Sequence, residues 1–269
     1  ALLAIAGLSR EQVEGLADEL AAADKAIFVW SMGITQHAHG GETVRAIVNL
    51  GLLREAVGRP GTGMMPIRGH SGVQGGAEMG AYATALPGGV PIDEESAARF
   101  SKLWGFEVPA APGLTTTEWI EAARRGELQG LYCIGGNFLE TLPDPPRVAE
   151  ALARIPLRIH SDLVLTTQML VEPADTVYLL PARTRYEQTD GGTETSTERR
   201  VIFSPQIEGH DVGEARSEWE LLADFARAVK PQGVERLGLQ SGAAIRKDIA
   251  AAVPSYSLPW GITKFELSS

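Results

Sequence analysis

The sequence predicts an α/β fold in which a doubly wound, mostly parallel sheet carries helices on both faces. Short apolar stretches typical of buried strands alternate with helical segments of about ten residues, the pattern of βαβ units. Each of four such strands is followed at once by small or hydrogen-bonding residues, as at the ligand-binding edge of open α/β sheets. We therefore expect a fold of the dinucleotide-binding type.

The N-terminal part predicts a helix, a strand and a second helix. Ser9 and Gln12 make a capping-box pattern in "SREQVEGLADELAAADK", whose apolar residues recur at helical spacing. "AIFVW" is typical of a short buried strand, and "ETVRAIVNLGLLREAV" predicts a helix that Gly58 and Pro60 end. Residues 58–91 are glycine-rich without regular alternation, so we expect one long irregular loop with a functional role.

Regular alternation resumes at residue 96. The helical pattern is found in "SAARFSKLWG", "TTEWIEAARRG" and "PPRVAEALARI", and the strand pattern in "LQGLYCIGG", "LRIHSD" and "DTVYLLP". "ERRVIFSPQ" is typical of an edge strand or a hairpin arm, and "SEWELLADFARAV" and "IRKDIAAAVP" predict two further helices. The three strands separated by helices supply the core of the predicted parallel sheet.

The composition argues against several classes of function. The formal net charge is −10 and Lys and Arg do not cluster, so we expect no nucleic-acid surface. Cys133 is the only cysteine, which excludes an intramolecular disulfide or an iron–sulfur cluster held by this chain alone; we expect a buried structural thiol. No apolar run approaches the roughly 20 residues that span a bilayer, and no signal peptide is recognisable, so we expect a cytoplasmic protein.

Small and polar residues follow the strands in the segments "SMGITQH", "GGN", "SDLVLTT" and "ARTRYEQTDGGTET". Because parallel strands end at one edge of a sheet, we expect a single crevice that uses all four segments. Gly33, Gly135 and Gly136 let backbone N–H groups approach a phosphate, and Asp162 can accept from a ribose hydroxyl or the amino edge of a base. Ordinary βα loops are the alternative, since they use the same residue types and no Rossmann or P-loop fingerprint is present.

Several motifs in a fixed order carry a family resemblance. "GITQHAHGGETVRAIVNLGLLREAVGRPGTGMMPIRGHSGVQGGAEMG" contains a G-[VI]-T-Q turn, a helix, a G-x-P-G-x-G loop and the pattern RG(Q/H)xxVQGxxxMG. "YCIGGNF", "SDLVLTTQMLVEPADTVYLLPA", "TERRV" and "GEARSEWELLADFA" follow. With these motifs the chain resembles the molybdopterin oxidoreductase superfamily, in the formate dehydrogenase alpha-subunit-like group, from about residue 9 to residue 253.

The resemblance implies a cofactor. Superfamily members bind two molybdopterin guanine dinucleotides around one molybdenum or tungsten ion, and we expect this cofactor in an intact protein but not in this chain alone. "SMGITQH" would contact its phosphate or pterin part, and the later segments would hold one guanosine end. The candidate cofactor-binding residues are Gly33, Ile34, Thr35, Gln36, Gly135, Gly136, Asn137, Asp162, Thr166, Glu187 and Thr193.

Arg68 and His70 occupy the family's RG(Q/H) motif. The resemblance implies that Arg68 lies by the metal and orients an anionic substrate or an oxygen at the metal, and that His70 transfers a proton or bonds a pterin. The alternative for Arg68 is a bond to carbonyls of its own loop. This chain has RGHSG where formate dehydrogenases have RGQNN, which weakens the case for formate and favours the acid-resistance oxidoreductase subgroup. His37 and His39 lack a ligand set at familiar spacing, so we expect loop histidines.

The resemblance also implies a fragment. Superfamily members have an upstream region, often with an iron–sulfur cluster, and a downstream barrel-like domain, so the metal's protein ligand would lie outside this chain. We expect residues 1–57 to end one cofactor-binding domain and 58–95 to form a glycine-rich loop near the metal and pterin. Residues 96–230 would form a dinucleotide-binding-like domain and 231–269 would extend towards a missing domain.

The predicted function is that of the cofactor-binding part of a bis-pterin oxidoreductase, which carries out two-electron redox chemistry on a small substrate as formate dehydrogenases do. Its partners would be the remaining domains of the polypeptide, the substrate and an electron-transfer protein. We expect the isolated chain to be folded and inactive. The alternative is a nucleotide-binding or assembly module without catalysis of its own; a nicotinamide-dependent dehydrogenase is disfavoured by the missing fingerprint.

Overall fold

Both compact units of the chain, Ala1–Val73 and Gln74–Ser269, mix helices and strands, which confirms the predicted α/β class. The computed structural model describes residues 2–67, 69–70, 72–195, 200–209 and 212–257. Within these ranges no helix is long and apolar enough to cross a membrane.

The first unit contains a two-stranded parallel sheet. Its elements are α1 (Leu2–Ala6), α2 (Arg10–Ala22), β1 (Ile27–Trp30), α3 (Met32–Thr35), α4 (Gly40–Leu53) and β2 (Gly63–Pro66). β1 and β2 pair in parallel over their full lengths. The predicted capping box is confirmed at the start of α2, where the Ser9 hydroxyl accepts from Gln12 N at 3.1 Å and the Gln12 side chain accepts from Ser9 N at 2.8 Å.

The predicted second helix, α4, ends earlier than its pattern suggests. Glu55 takes a left-handed φ of 50°, and Ala56 N donates to Gly51 O at 2.8 Å. Glu55 N donates to Leu52 O at 3.0 Å, which completes a Schellman motif. The motif satisfies the last carbonyls of the helix at Leu53, so the breakers Gly58 and Pro60 lie beyond its end.

The glycine-rich stretch is not one irregular loop, and that prediction was wrong. Between residues 58 and 91 the chain forms β2, the short helix α5 (Val73–Glu78) and an antiparallel hairpin of β3 (Ala85–Leu86) and β4 (Val90–Pro91). Glycines in the left-handed region separate these elements, among them Gly80 at a φ of 76°. Strands of two to four residues are too short to show the period of two that predicts a strand.

The second unit contains a three-stranded parallel sheet and a separate hairpin. The remaining elements are α6 (Glu94–Trp104), α7 (Thr116–Arg124), β5 (Gly130–Ile134), α8 (Phe138–Thr141), α9 (Pro145–Arg154), β6 (Leu157–Asp162), a 3₁₀ helix (Thr167–Leu170), β7 (Thr176–Pro181), β8 (Gly192–Thr195), β9 (Val201–Ser204), α10 (Glu218–Val229), α11 (Pro231–Val234), α12 (Gly242–Ala252) and a 3₁₀ helix (Pro254–Tyr256). The predicted hairpin arm is confirmed as β9, which pairs with β8.

Helices contact both faces of the three-stranded sheet. On one face α7 and α9 bury a cluster that includes Ile120, Val148 and Leu152, against which Leu131 of β5 packs. The next residue, Tyr132, points to the opposite face and meets Phe225 of α10 edge-on, with ring centroids 5.5 Å apart. The sheet is therefore the middle layer of three.

The topology departs from the predicted single sheet. In the described part of the chain the strand order is β5-β6-β7, without the reversal that a doubly wound sheet needs, and β1 pairs only with β2. The segment "SMGITQH" thus follows a strand of a different sheet from the other three segments. The alternation of strands and helices in the sequence does not indicate which strands pair, because pairing depends on contacts between residues distant in sequence.

A second core joins the C-terminal residues to α6. Phe100, Val108, Val253 and Tyr256 are buried there, with Trp104 packed against them. The Trp104 ring lies 4.7 Å from that of Phe100 and 5.9 Å from that of Phe106, so this tryptophan packs within the aromatic part of the core. The core brings residues 253–256 beside helix α6.

Candidate functional site

The loop after β5 is open to an approaching ligand. Gly135 and Gly136 both lie in the left-handed region, at φ of 65° and 75°, and nothing stands within 4 Å of where a Cβ would be at either residue. Gly135 N donates to Ser161 O at 2.8 Å, which fixes the loop to the end of β6. The Asn137 Nδ2 donates to Thr167 Oγ1 at 2.9 Å, whereas its Oδ1 is buried and has no partner among the described residues. This carbonyl oxygen is therefore a buried acceptor whose hydrogen-bonding capacity the described residues leave unused.

Gln168 holds the same loop in place through two hydrogen bonds. Its side chain is 1% exposed, donates to Gly136 O at 2.7 Å and accepts from Phe138 N at 2.8 Å. Both ends of the amide are used on one short segment of backbone. Thr166 lies two residues before, half-buried at the start of the 3₁₀ helix. The sequence-predicted residues Gly135, Gly136, Asn137 and Thr166 are thus brought together.

Asp162 ends β6 at the same edge of the sheet. Its Oδ1 accepts from Leu163 N at 2.7 Å, and its Oδ2 has no hydrogen bond within the described residues. Glu218 at the start of α10 is half-buried, and burial, followed by the charge of Asp162, raises the pKa of its carboxyl group above the ordinary value. A carboxyl group whose pKa is raised by burial and by a second carboxylate is a feature that occurs at ligand sites.

The turn from Glu187 to Thr193 lies beside the start of α10. Thr189 N donates to the buried Ser217 hydroxyl at 2.9 Å, and Glu187 accepts from Thr184 N at 2.9 Å. Arg216 N donates to Pro181 O at 3.1 Å, so the end of β7 and the start of α10 are adjacent. The Thr193 Oγ1 is buried without a partner in the described ranges. These contacts place the turn next to the strand ends.

Polar residues are buried in β5 and β6 behind this edge. Arg158 is 0% exposed and donates to the carbonyl oxygens of Gln168 and Val171. His160 is 1% exposed, and in the described part of the chain neither ring nitrogen has a partner. Burial, and after it the charge of Arg158, lowers the pKa of His160, while Asp162 acts in the opposite direction. Cys133 is buried as predicted, and burial raises the pKa of its thiol to about 11.

The remaining predicted residues lie in the first unit, at the end of its parallel sheet. Gly33, Ile34 and Thr35 belong to α3 and Gln36 caps it, with Gln36 N donating to Met32 O at 2.9 Å. These residues are exposed except for the half-buried Ile34. Predicted as a turn, the segment is a single helical turn.

The segment that carries the RG(Q/H) motif lies next to α3. The Ser31 hydroxyl donates to Ile67 O at 3.0 Å, and a Cβ at Gly69 would stand 3.5 Å from Met32 Sδ. His70 is exposed. Arg68 lies outside the described residues, so its two alternative roles stay predictions.

The structure also locates His37, His39 and Trp119. His37 and His39 are exposed, and His39 precedes α4. The described residues contain no group of three or more His, Cys, Asp and Glu side chains that could hold a metal ion. The Trp119 ring lies 5.7 Å from that of Phe138, which supports packing for this tryptophan.

Sequence reasoning missed Gln168, His160 and Glu218. Gln168 and His160 stand in segments whose pattern indicates only a loop and a buried strand, and their burial depends on the helices packed above. The signal for the start of α10 was present, since Ser217 and Glu220 have capping-box spacing, and Ser217 N donates to Glu220 at 3.0 Å. Glu218 could have been placed at a helix start by this pattern, but its approach to Asp162 could not.

Comparisons with known proteins match most of the chain. The family model described as molybdopterin oxidoreductase matches residues 5–228. Protein YdeP of Escherichia coli (strain K12) is 35% identical over 262 residues, which cover 94% of this chain and 33% of the relative. A nitrate reductase of Klebsiella oxytoca is 36% identical over 229 residues (83% and 25%). The putative formate dehydrogenase YrhE of Bacillus subtilis (strain 168) is 31% identical over 264 residues (98% and 25%). The chain thus spans a third or less of the length of these relatives.

Proposed function

The chain belongs to the molybdopterin oxidoreductase family, and we propose on that basis that it binds a molybdopterin guanine dinucleotide as part of a longer oxidoreductase. The family membership confirms the resemblance found in the sequence and implies a molybdopterin cofactor with molybdenum or tungsten. The relatives are three to four times as long as the matched region, which supports further domains on the same polypeptide. The dinucleotide form and the doubly wound arrangement belong to the proposal.

The residues at the edge of the three-stranded sheet fit the nucleotide end of such a cofactor. Gly135 and Gly136 leave open space where any side chain would stand, as close approach of a ligand to backbone requires. Among the described residues, Asn137 Oδ1 and Asp162 Oδ2 are acceptors without a hydrogen bond, and guanine offers donors on N1 and its 2-amino group. The unsatisfied acceptor of Asn137, next to two glycines that leave open space, is the observation that carries the proposal.

Each residue has a role of its own in that proposal. Asp162 accepts from the base through its carboxylate, and Asn137 accepts through its buried carbonyl oxygen. Gln168 holds the loop in the open conformation by bonding both Gly136 and Phe138, without touching the ligand. The turn from Glu187 to Thr193 closes the other side, where the unpartnered Thr193 hydroxyl can bond a ribose oxygen.

The end of the first unit's sheet is the proposed phosphate or pterin contact. Gly33, Thr35 and Gln36 lie exposed there, with His70 exposed on the neighbouring segment. When bound, the cofactor supplies two-electron redox chemistry at its metal. Arg68 is proposed to orient a small anionic substrate through its guanidinium fork, and His70 to hold or move a proton at its imidazole.

The relatives' names support a small substrate, since they include a nitrate reductase and a putative formate dehydrogenase. Nitrate and formate are both planar oxyanions that a guanidinium group can bind through two parallel hydrogen bonds. In the intact enzyme, Arg68→Ala is expected to lower turnover, and His70→Gln to move the pH–rate profile. Turnover and metal content that Arg68→Ala leaves unaltered would refute the role of Arg68, and an unmoved profile would refute that of His70.

Metal and cofactor analysis of the longer protein tests the proposed function. The proposal requires molybdenum or tungsten together with a pterin that releases a guanine nucleotide on hydrolysis. A protein that binds guanine nucleotide but yields no metal and no pterin would be a nucleotide-binding or assembly module instead. Release of cytosine nucleotide, or of pterin without nucleotide, would contradict the guanine dinucleotide form.

A further inference from the structure

One tyrosine hydroxyl joins three segments that are far apart in the second unit's sequence. Tyr256 is 6% exposed, and its hydroxyl bonds the Glu78 Oε2 at the end of α5 and the Thr195 Oγ1 at the end of β8. Burial, together with the hydrogen bond to Glu78, raises the pKa of Tyr256 to about 12. The hydroxyl is therefore protonated at neutral pH and donates to the carboxylate.

Helix α5 also contacts β8 directly. A Cβ at Gly75 would lie 3.1 Å from Thr195 N, so α5 approaches the strand more closely than most residues with a side chain would. The second carboxylate oxygen of Glu78 accepts from Gln74 Nε2 at 2.7 Å, and Glu78 O accepts from Gly88 N at 2.6 Å. Every oxygen of Glu78 is thus used to hold the end of the glycine-rich segment.

From these contacts we propose that Tyr256 is a positioning residue of the cofactor site, which holds residues 74–80 against the strand that leaves the nucleotide turn. The inference rests on the proposed function for its meaning, since β8 begins at Gly192, inside the turn that would close on guanosine. Residues 74–80 follow the RG(Q/H) motif directly in sequence. Tyr256 therefore ties the continuation of that motif to the nucleotide end.

Loss of the hydroxyl would take the Tyr256 bond from the buried Thr195 hydroxyl and from Oε2 of the half-buried Glu78. Phenylalanine keeps the ring in the core with Phe100 and Val253, but the Glu78 carboxylate and the Thr195 hydroxyl lose their common bond. Hydrogen bonds to a charged group are among the stronger ones in proteins, so residues 74–80 should open locally far more often.

Hydrogen exchange on the 269-residue chain tests whether the Tyr256 hydroxyl holds residues 74–80 in place. Tyr256→Phe is expected to speed the exchange of amides in residues 74–80 by about tenfold or more while the amides of the three-stranded sheet keep their rates. Thr195→Val should act in the same direction and Thr195→Ser should not, because serine keeps the hydroxyl. Tyr178→Phe, at a tyrosine that is 57% exposed, is the matched control. Unchanged rates in Tyr256→Phe, or an equal rise over the whole chain, would overturn the proposal.

Exchange with GDP as the probe separates positioning from a purely structural tie. In the wild type GDP is expected to slow the exchange of residues 74–80 by about threefold or more, and in Tyr256→Phe it should bind without this slowing. GDP that binds the wild type but leaves residues 74–80 unaffected would contradict a positioning role. Failure of GDP to bind at all would count against the proposed function. The exchange rates of Tyr256→Phe and the wild type without GDP would still show whether the Tyr256 hydroxyl holds residues 74–80 in place.

Discussion

The Gln168 side chain donates to Gly136 O at 2.7 Å across 32 residues of sequence. The bond joins the loop after β5 to the connection between β6 and β7, so two of the predicted segments are fixed relative to each other before any ligand arrives. The buried Gln168 amide bonds this glycine loop through both its oxygen and its nitrogen, and so pre-organises the loop. Such pre-organisation lowers the conformational entropy that binding has to overcome.

Replacement of Gln168 should therefore cost both stability and nucleotide affinity. Gln168→Leu removes the hydrogen bonds that the buried amide makes to Gly136 O and Phe138 N, which we expect to destabilise the chain by about 1–2 kcal/mol. Urea unfolding measures the change, with Gln240→Leu at an exposed glutamine as the control. A loss below about 0.5 kcal/mol would show that water replaces these bonds easily.

The start of α4 offers a matched pair of adjacent glycines. A Cβ at Gly40 would stand 2.4 Å from Thr35 O, whereas at Gly41 nothing lies within 4 Å. Gly40→Ala should destabilise the first unit by about 2 kcal/mol because α3 must move, and Gly41→Ala should stabilise it by about 0.5–1 kcal/mol through helix propensity. Thermal unfolding of both variants decides, and equal effects would mean that α3 does not pack on α4 as described.

The unpartnered His160 should make stability depend on pH. Burial and Arg158 lower the pKa of His160 below its ordinary value of 6.5, so the unfolded chain binds a proton that the folded chain does not. The free energy of unfolding should therefore not be reduced by His160 above about pH 6.5. Below that pH it should fall, with a slope of at most about 1.4 kcal/mol per pH unit.

His160→Leu removes this dependence without removing any hydrogen bond found among the described residues. We expect the difference in unfolding free energy between pH 7.5 and pH 5 to shrink in the variant, as measured by urea unfolding. The exposed His39 gives the control variant His39→Leu. If His160→Leu leaves the loss of unfolding free energy at acidic pH unchanged, a group other than His160 causes that loss.

The purified 269-residue chain should be folded but catalytically silent. A cofactor held between domains loses most of its contacts when the opposing domains are absent, so little of it should remain bound. Far-UV circular dichroism, metal analysis and assays with formate and nitrate check the three parts of this expectation. Stoichiometric molybdenum in the isolated chain would show that this region alone suffices to hold the cofactor.

Local signals in the sequence predicted the elements well, and contacts between distant residues decided the rest. The capping box at Ser9 and the βαβ pattern around β5 and β6 depend on neighbours along the chain, which the sequence displays. The pairing of Gly63–Pro66 with β1 and the burial of Gln168 depend on partners at least 30 residues away in sequence. The candidate residues of the second unit could be predicted as a set because they follow strands, whereas the sequence did not indicate the residues that hold them in place.

Nucleotide titration followed by NMR tests the central claim most directly, because it detects weak binding to the sheet edge. The account predicts that GDP shifts the amides of Gly135, Gly136 and Asp162, and that ADP binds at least about tenfold more weakly because adenine lacks the N1 and 2-amino donors proposed to bond Asp162 and Asn137. Asp162→Asn should abolish this preference, while Asp175→Asn, at an exposed carboxylate, and Arg68→Ala should keep it. Equal binding of GDP and ADP, or GDP binding that Arg68→Ala removes and Asp162→Asn leaves untouched, would contradict the account.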